Sequence, residues 1–148
     1  MVQIENVVYT AKMHTTGGRE NGTARSSDGC LDIRLSTPGS ARFGTNPEQL
    51  FAAAWSVGLE RAIAQAARQR KLVLPADLVI DSEVDLCRMD GGYFLCARLN
   101  VSLPGIEREV ARALLDEAQQ ICPYSKATRG NVDVEIKLMP TSTPLEGT

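Results

Sequence analysis

The sequence predicts an α+β domain in which antiparallel sheets lie around one long central helix. Three observations carry this. Residues 46–70 read as a single helix in which the run from Leu50 to Leu59 has one polar side chain. Short runs on either side of it alternate apolar and polar residues with the period of a strand. A second, amphipathic helix separates the last two strands. The order is strand, strand, long helix, strand, strand, helix, strand. No internal repeat and no change of composition divides the chain. Residues 1–139 are therefore expected to form one domain, and 140–148, a tail with no apolar face, to be disordered.

The first strand is expected over Val7 to His14. Thr15 to Gly22 follows as a loop of turn-forming residues, with Arg19 read on composition as a solvated charge. Asp28-Gly29 marks a turn. Leu31, Ile33 and Leu35 alternate with Asp32 and Arg34, as a half-buried strand should. Thr37 to Thr45 then leads into the long helix.

Asn46 suits the N-cap of that helix, Pro47 its first position and Glu48 the positive end of its dipole. From Leu50 to Leu59 the only polar residue is Ser56. Such a helix is expected to be buried on nearly every side. At about 25 residues and about 1.5 Å per residue it is roughly 37 Å long. A small monomer cannot cover that length, so a second subunit is expected to share it. Ser56 and Glu60 are read as a packed serine and a surface or interface glutamate.

Asp90 and Tyr93 flank Gly91-Gly92, read as a two-residue hairpin loop. The register that follows pairs Val84 with Leu99 and Leu86 with Ala97 on one face. It pairs Asp85 with Arg98 on the other and sets Cys87 opposite Cys96. A disulfide between those two is conceivable, though in a reducing compartment two packed thiols are expected. Ile106, Val110, Ala113, Leu114, Ala118 and Ile121 trace one face of the second helix, which ends at Cys122-Pro123. Pro123 to Asn131 reads as a polar loop. Val132, Val134, Ile136 and Leu138 alternate as the last strand.

Composition excludes several classes. The 148 residues carry sixteen basic and eighteen acidic side chains, a formal charge of −2, which is no nucleic-acid footprint. No apolar run reaches membrane-spanning length. The N-terminus lacks a basic region followed by an apolar one, so a cytoplasmic chain is expected. The four cysteines, Cys30, Cys87, Cys96 and Cys122, form no Cys-x-x-Cys pair, and His14 is the only histidine. That argues against a zinc site and leaves one candidate base for a histidine triad. No cofactor is expected.

Three stretches carry a specific resemblance. They are Thr16-Gly17-Gly18-Arg19 with Ser26-Ser27-Asp28-Gly29; Gly44-Thr45-Asn46-Pro47-Glu48-Gln49-Leu50-Phe51-Ala52-Ala53; and Val101 to Gly105 with Ile121-Cys122-Pro123-Tyr124-Ser125-Lys126-Ala127-Thr128-Arg129-Gly130-Asn131. Over about residues 5–138 the chain resembles the organic hydroperoxide resistance (Ohr) branch of the OsmC/Ohr family. The resemblance implies an intertwined α+β homodimer with two sites at the subunit interface. It implies a thiol peroxidase that reduces organic hydroperoxides to alcohols. A peroxidatic cysteine on the long helix does so in that family, and a resolving cysteine then closes a disulfide that lipoylated partner proteins reopen. By this resemblance Arg19 matches the arginine that activates the thiolate, Glu48 its glutamate and Cys122 the resolving cysteine.

The peroxidatic position departs from the family pattern. That cysteine falls seven residues after the phenylalanine of the Glu-Gln-Leu-Phe run, which here is Gly58. No cysteine occurs between Cys30 and Cys87. Peroxide reduction needs a thiolate to attack the O–O bond, and arginine cannot attack. Two readings follow. In one, the chain has lost peroxidase activity but keeps the dimer and a pocket for a hydroperoxide, a fatty acid, a lipoyl group or another apolar ligand. In the other, Cys122 is the nucleophile, and an outside thiol resolves its sulfenic acid. Other chemistry and purely structural work remain beside them. Glu48 and Gly58 are about 15 Å apart along a straight helix. The Arg19 and Glu48 that serve a given Gly58 are therefore expected to come from the other subunit.

Overall fold

The computed structural model describes residues 3–140, the side chain of Arg19 excepted. It divides into two compact units, with the boundary between Pro47 and Glu48. The expected disordered tail lies, from residue 141 on, outside the described residues.

The first unit is a three-stranded antiparallel sheet, β1 (Met13–Thr16), β2 (Thr23–Ser26) and β3 (Asp32–Arg34), in that order. One helical turn, α1 (Gly18–Asn21), joins β1 to β2. The turn at Asp28-Gly29 is present. Asp28 Oδ1 accepts from Ser26 Oγ and from the Cys30 N–H, which holds the Asp28 carboxyl below its usual range. Two expectations need correction. The first strand starts only at Met13: Val7 to Lys12 lie in no strand, and Val8 is 93% exposed. An apolar run becomes a strand only where a neighbouring backbone pairs with it. The loop at 15–22, in turn, contains the last residues of β1 and the turn of α1. The short β2 was not legible, because Thr-Ala-Arg-Ser carries a single apolar side chain.

The long helix α2 spans Pro47–Gln69, within a residue of expectation at each end. It is not buried all round. Trp55, Gly58, Leu59, Ala62, Ile63, Ala66 and Ala67 form one buried stripe, while Ala53, Ala54 and Val57 face outward. A single sheet and a single helix cover only one side of a cylinder. They are the sheet β4 (Val79–Met89), β5 (Gly92–Ser102) and β6 (Asp133–Leu138), and the helix α3 (Arg108–Ile121). Trp55, Leu59 and Ile63 pack with Ala97, Leu99 and Val101 of β5 and with Ala111, Leu115 and Ala118 of α3. Glu107 caps α3, its carboxylate accepting from the N–H groups of Glu109 and Val110.

β4 and β5 are antiparallel, whereas β6 lies parallel to β5. The crossover through α3 returns the chain to the end where β5 began, as a parallel neighbour requires. The β4–β5 register is a correction. The loop is Asp90-Gly91, both with positive φ (52° and 79°), and Met89 pairs with Gly92. That conformation suits a two-residue hairpin turn, for which Asp-Gly is a preferred pair. Val84 therefore pairs with Ala97, Leu86 with Leu95 and Glu83 with Arg98. The slide is by two residues, so every side chain keeps its face.

Candidate functional site

The sequence pointed to Gly58, Cys122, Glu48 and Arg19. The structure joins the surroundings of the first two. Cys122 ends α3, donating its N–H to the Ala118 carbonyl, and stands at the N-cap of a further helix, α4 (Pro123–Thr128). The Lys126 N–H donates to the Cys122 carbonyl. The expected polar loop after Cys122 is thus mostly a helical turn. Pro123 ends one helix and begins the next, because its ring excludes the preceding helical conformation yet fits a first helical position. Cys122 is completely buried and belongs to the core.

α4 is tied down onto α2. The Trp55 indole N–H donates to Ser125 Oγ at 3.4 Å. Thr128 Oγ1 donates to the Tyr124 carbonyl at 2.8 Å. Tyr124, next to Ser125 in the chain, lies directly over Gly58. A Cβ built on Gly58 would overlap the Cδ2 and Cε2 atoms of the Tyr124 ring. The space that a cysteine side chain would need at position 58 is therefore filled by an aromatic ring.

Beside this contact lies a cleft of about 470 Å³. Gly58, Arg61, Gln65 and Arg68 of α2 form one wall, and Pro123 and Tyr124 lie on the other. Its lining includes two arginines, Arg61 and Arg68, and no carboxylate.

Glu48 is half-buried in the first turn of α2. Arg19 is the second residue of α1, in the first unit. Ser56 is packed as expected: its Oγ lies 2.8 Å from the Ala52 carbonyl and 2.6 Å from Ser82 Oγ. Glu60 is exposed. Among the described residues no group of three or more histidine, cysteine or acidic side chains could hold a metal ion. Sequence reasoning missed Tyr124, Arg61 and Arg68. The arginines were legible in principle, since residues seven apart on a helix share a face.

A family model for OsmC-like proteins matches residues 37–137. An organic hydroperoxide resistance protein from Xanthomonas axonopodis pv. citri is 46% identical over 142 residues, covering 93% of this chain and 99% of that protein. Among solved structures, the organic hydroperoxide resistance protein OhrB of Bacillus subtilis is similar with a TM-score of 0.83 at 39% identity, over 90% of this chain and 100% of its own. An organic hydroperoxide resistance protein OsmC from Legionella pneumophila is similar with a TM-score of 0.84 at 37% identity, over 91% and 100%.

Proposed function

Because the chain belongs to the OsmC/Ohr family of organic hydroperoxide resistance proteins, we propose that it is of thiol-peroxidase lineage but no longer reduces hydroperoxides at the family's peroxidatic position. On this reading it keeps a cleft that takes an organic hydroperoxide or another apolar small molecule. One observation carries the reading: Gly58 has no nucleophile, and the Tyr124 ring occupies the volume where one would sit. Loss of the thiol alone leaves a hole. Here the hole is filled, which supports a settled arrangement.

The cleft would hold its ligand by burying an alkyl or aryl part against Gly58, Ala62 and Tyr124. Arg61 and Arg68 would face an acidic end. Arg19 and Glu48 match the family's activating pair and would act from the second subunit of a homodimer. A lipoylated protein is the reductant class that the family suggests. The cytoplasm is the expected compartment; among the described residues no helix is long and apolar enough to cross a membrane.

A second reading keeps Cys122 as nucleophile. The survival of Arg19 and Glu48 favours it. The complete burial of Cys122 opposes it.

The deciding experiment is turnover of an organic hydroperoxide with dihydrolipoamide as reductant. Gly58→Cys, Gly58→Cys/Tyr124→Ala and Cys122→Ser are run beside the parent. The proposal expects one of the Gly58→Cys proteins to exceed the parent by about tenfold or more, and Cys122→Ser to leave the parent's rate unchanged. Parent turnover that disappears in Cys122→Ser would establish the second reading.

A further inference from the structure

We propose that Cys87 and Cys96 form a second, redox-active site, a cross-strand dithiol that reduces an organic hydroperoxide and closes to a disulfide. The site is independent of the cleft at Gly58. The hairpin builds it. Successive residues of a strand point to opposite faces. Ala97, Leu99 and Val101 face the core, so Cys96 and Arg98 face away from it. Cys87 pairs with Phe94, and Cys96 with Asp85. The two thiols are therefore diagonal neighbours on one face. Their sulfurs lie 3.3 Å apart in an S–H···S hydrogen bond, and both thiols are free and half-buried.

The diagonal register matters to the chemistry. Diagonal Cα atoms in a sheet are about 7–8 Å apart. A relaxed disulfide usually has about 4.4–6.8 Å between its Cα atoms and about 2.05 Å between its sulfurs. Closing the pair from 3.3 Å thus requires a small shift of the strands. A bond closed against the sheet's own spacing is readily reopened by another thiol. That suits a reversible site rather than a permanent staple.

The Cys87 sulfur, as thiolate, attacks one oxygen of ROOH. The O–O bond breaks, and the alkoxide leaves and takes up a proton as ROH. Cys87 is now a sulfenic acid. The Cys96 sulfur attacks the Cys87 sulfur, the S–O bond breaks, and hydroxide leaves as water with the Cys96 proton. Two thiols lose two electrons, and the peroxide gains them. Cys96 is fitted to be the second thiol. Its hydrogen bond with Cys87, then burial, then the charges of Cys87, Asp133 and Asp85 push its pKa up, so it keeps its proton during the first attack.

The test uses the full chain, reduced, freed of reductant and given one equivalent of cumene hydroperoxide. The expected result is a mass loss of about 2 Da, one crosslinked peptide joining Cys87 to Cys96, and full reversal by dithiothreitol. Cys30→Ser should behave as the parent does. Cys96→Ser should stop at a sulfenic acid on Cys87, trapped by dimedone. The proposal is overturned if Cys87 and Cys96 both remain alkylatable after the peroxide is consumed, or if the crosslink maps to Cys30 or Cys122. The peptide map of the parent decides even if a variant fails to fold. Failure here is distinct from failure of the reading at Gly58, which is scored in Gly58 and Cys122 variants.

Discussion

Position 58 shows how much one missing side chain can reorganise. In an isolated helix, glycine is about 0.5–1 kcal/mol worse than alanine. Gly58→Ala should therefore stabilise the protein if nothing stood over it. Tyr124 does stand over it. An added methyl must push the ring toward water, and Tyr124, already 44% exposed, can move that way. We expect Gly58→Ala to destabilise by about 1 kcal/mol, at the low end of overpacking costs. In a Tyr124→Ala background the sign should reverse, with Gly58→Ala gaining about 0.5–1 kcal/mol. Urea unfolding of the four proteins measures this, and equal effects in both backgrounds would remove Tyr124 from the account.

The β4–β5 hairpin carries the electrostatics at the scale of the element. Arg98 donates to both oxygens of Asp85 at 2.6 and 2.9 Å and also reaches Glu83 at 2.9 Å. These hydrogen bonds hold the Asp85 carboxyl below its ordinary 3.8 and push Arg98 up. A depressed carboxylate contributes stability above its ordinary value and loses it as the pH falls through the folded one. The unfolding midpoint of the parent should thus fall as the pH drops below about 4. Arg98→Ala should weaken that dependence, and identical pH profiles would show the pair to be idle. The groups are partly exposed, so the effect should be small and should shrink in salt. Larger losses belong to the other face of the hairpin. Leu99 is fully buried, and Leu99→Ala should cost about 2–5 kcal/mol in the same unfolding experiment.

For the whole molecule, the exposed apolar surface sets the question. Val57 on α2 is 57% exposed, and Val7, Val8 and Tyr9 are exposed as well. Single exposed apolar residues are ordinary, but runs of them on a helix face and an unpaired segment call for a cover. A second copy of the chain is the cover expected from the helix length. Sedimentation should give twice the mass of one chain, and Val57→Glu should shift the protein toward the single chain. A parent that sediments as one chain at micromolar concentration would reject the shared helix.

Much of the fold was legible because it rests on local rules. The apolar run from Leu50 to Leu59, the alternation in Val84 to Leu86 and the proline after Cys122 each report on a chain's preference for its own backbone shape. The long helix and the core faces of the hairpin follow from those preferences. The motifs around Arg19, Glu48 and Cys122 likewise exposed the family resemblance and the missing thiol at Gly58. What needed the tertiary structure were distances between parts far apart in sequence. A loop of Asp90-Gly91 or of Gly91-Gly92 keeps the same faces, so periodicity cannot choose between them; only the folded hairpin makes Cys87 and Cys96 diagonal. The ring of Tyr124 meets Gly58 where the Trp55–Ser125 hydrogen bond joins α4 to α2. Residues 58 and 124 are distant in the chain, and packing is decided between surfaces, which a linear pattern does not record.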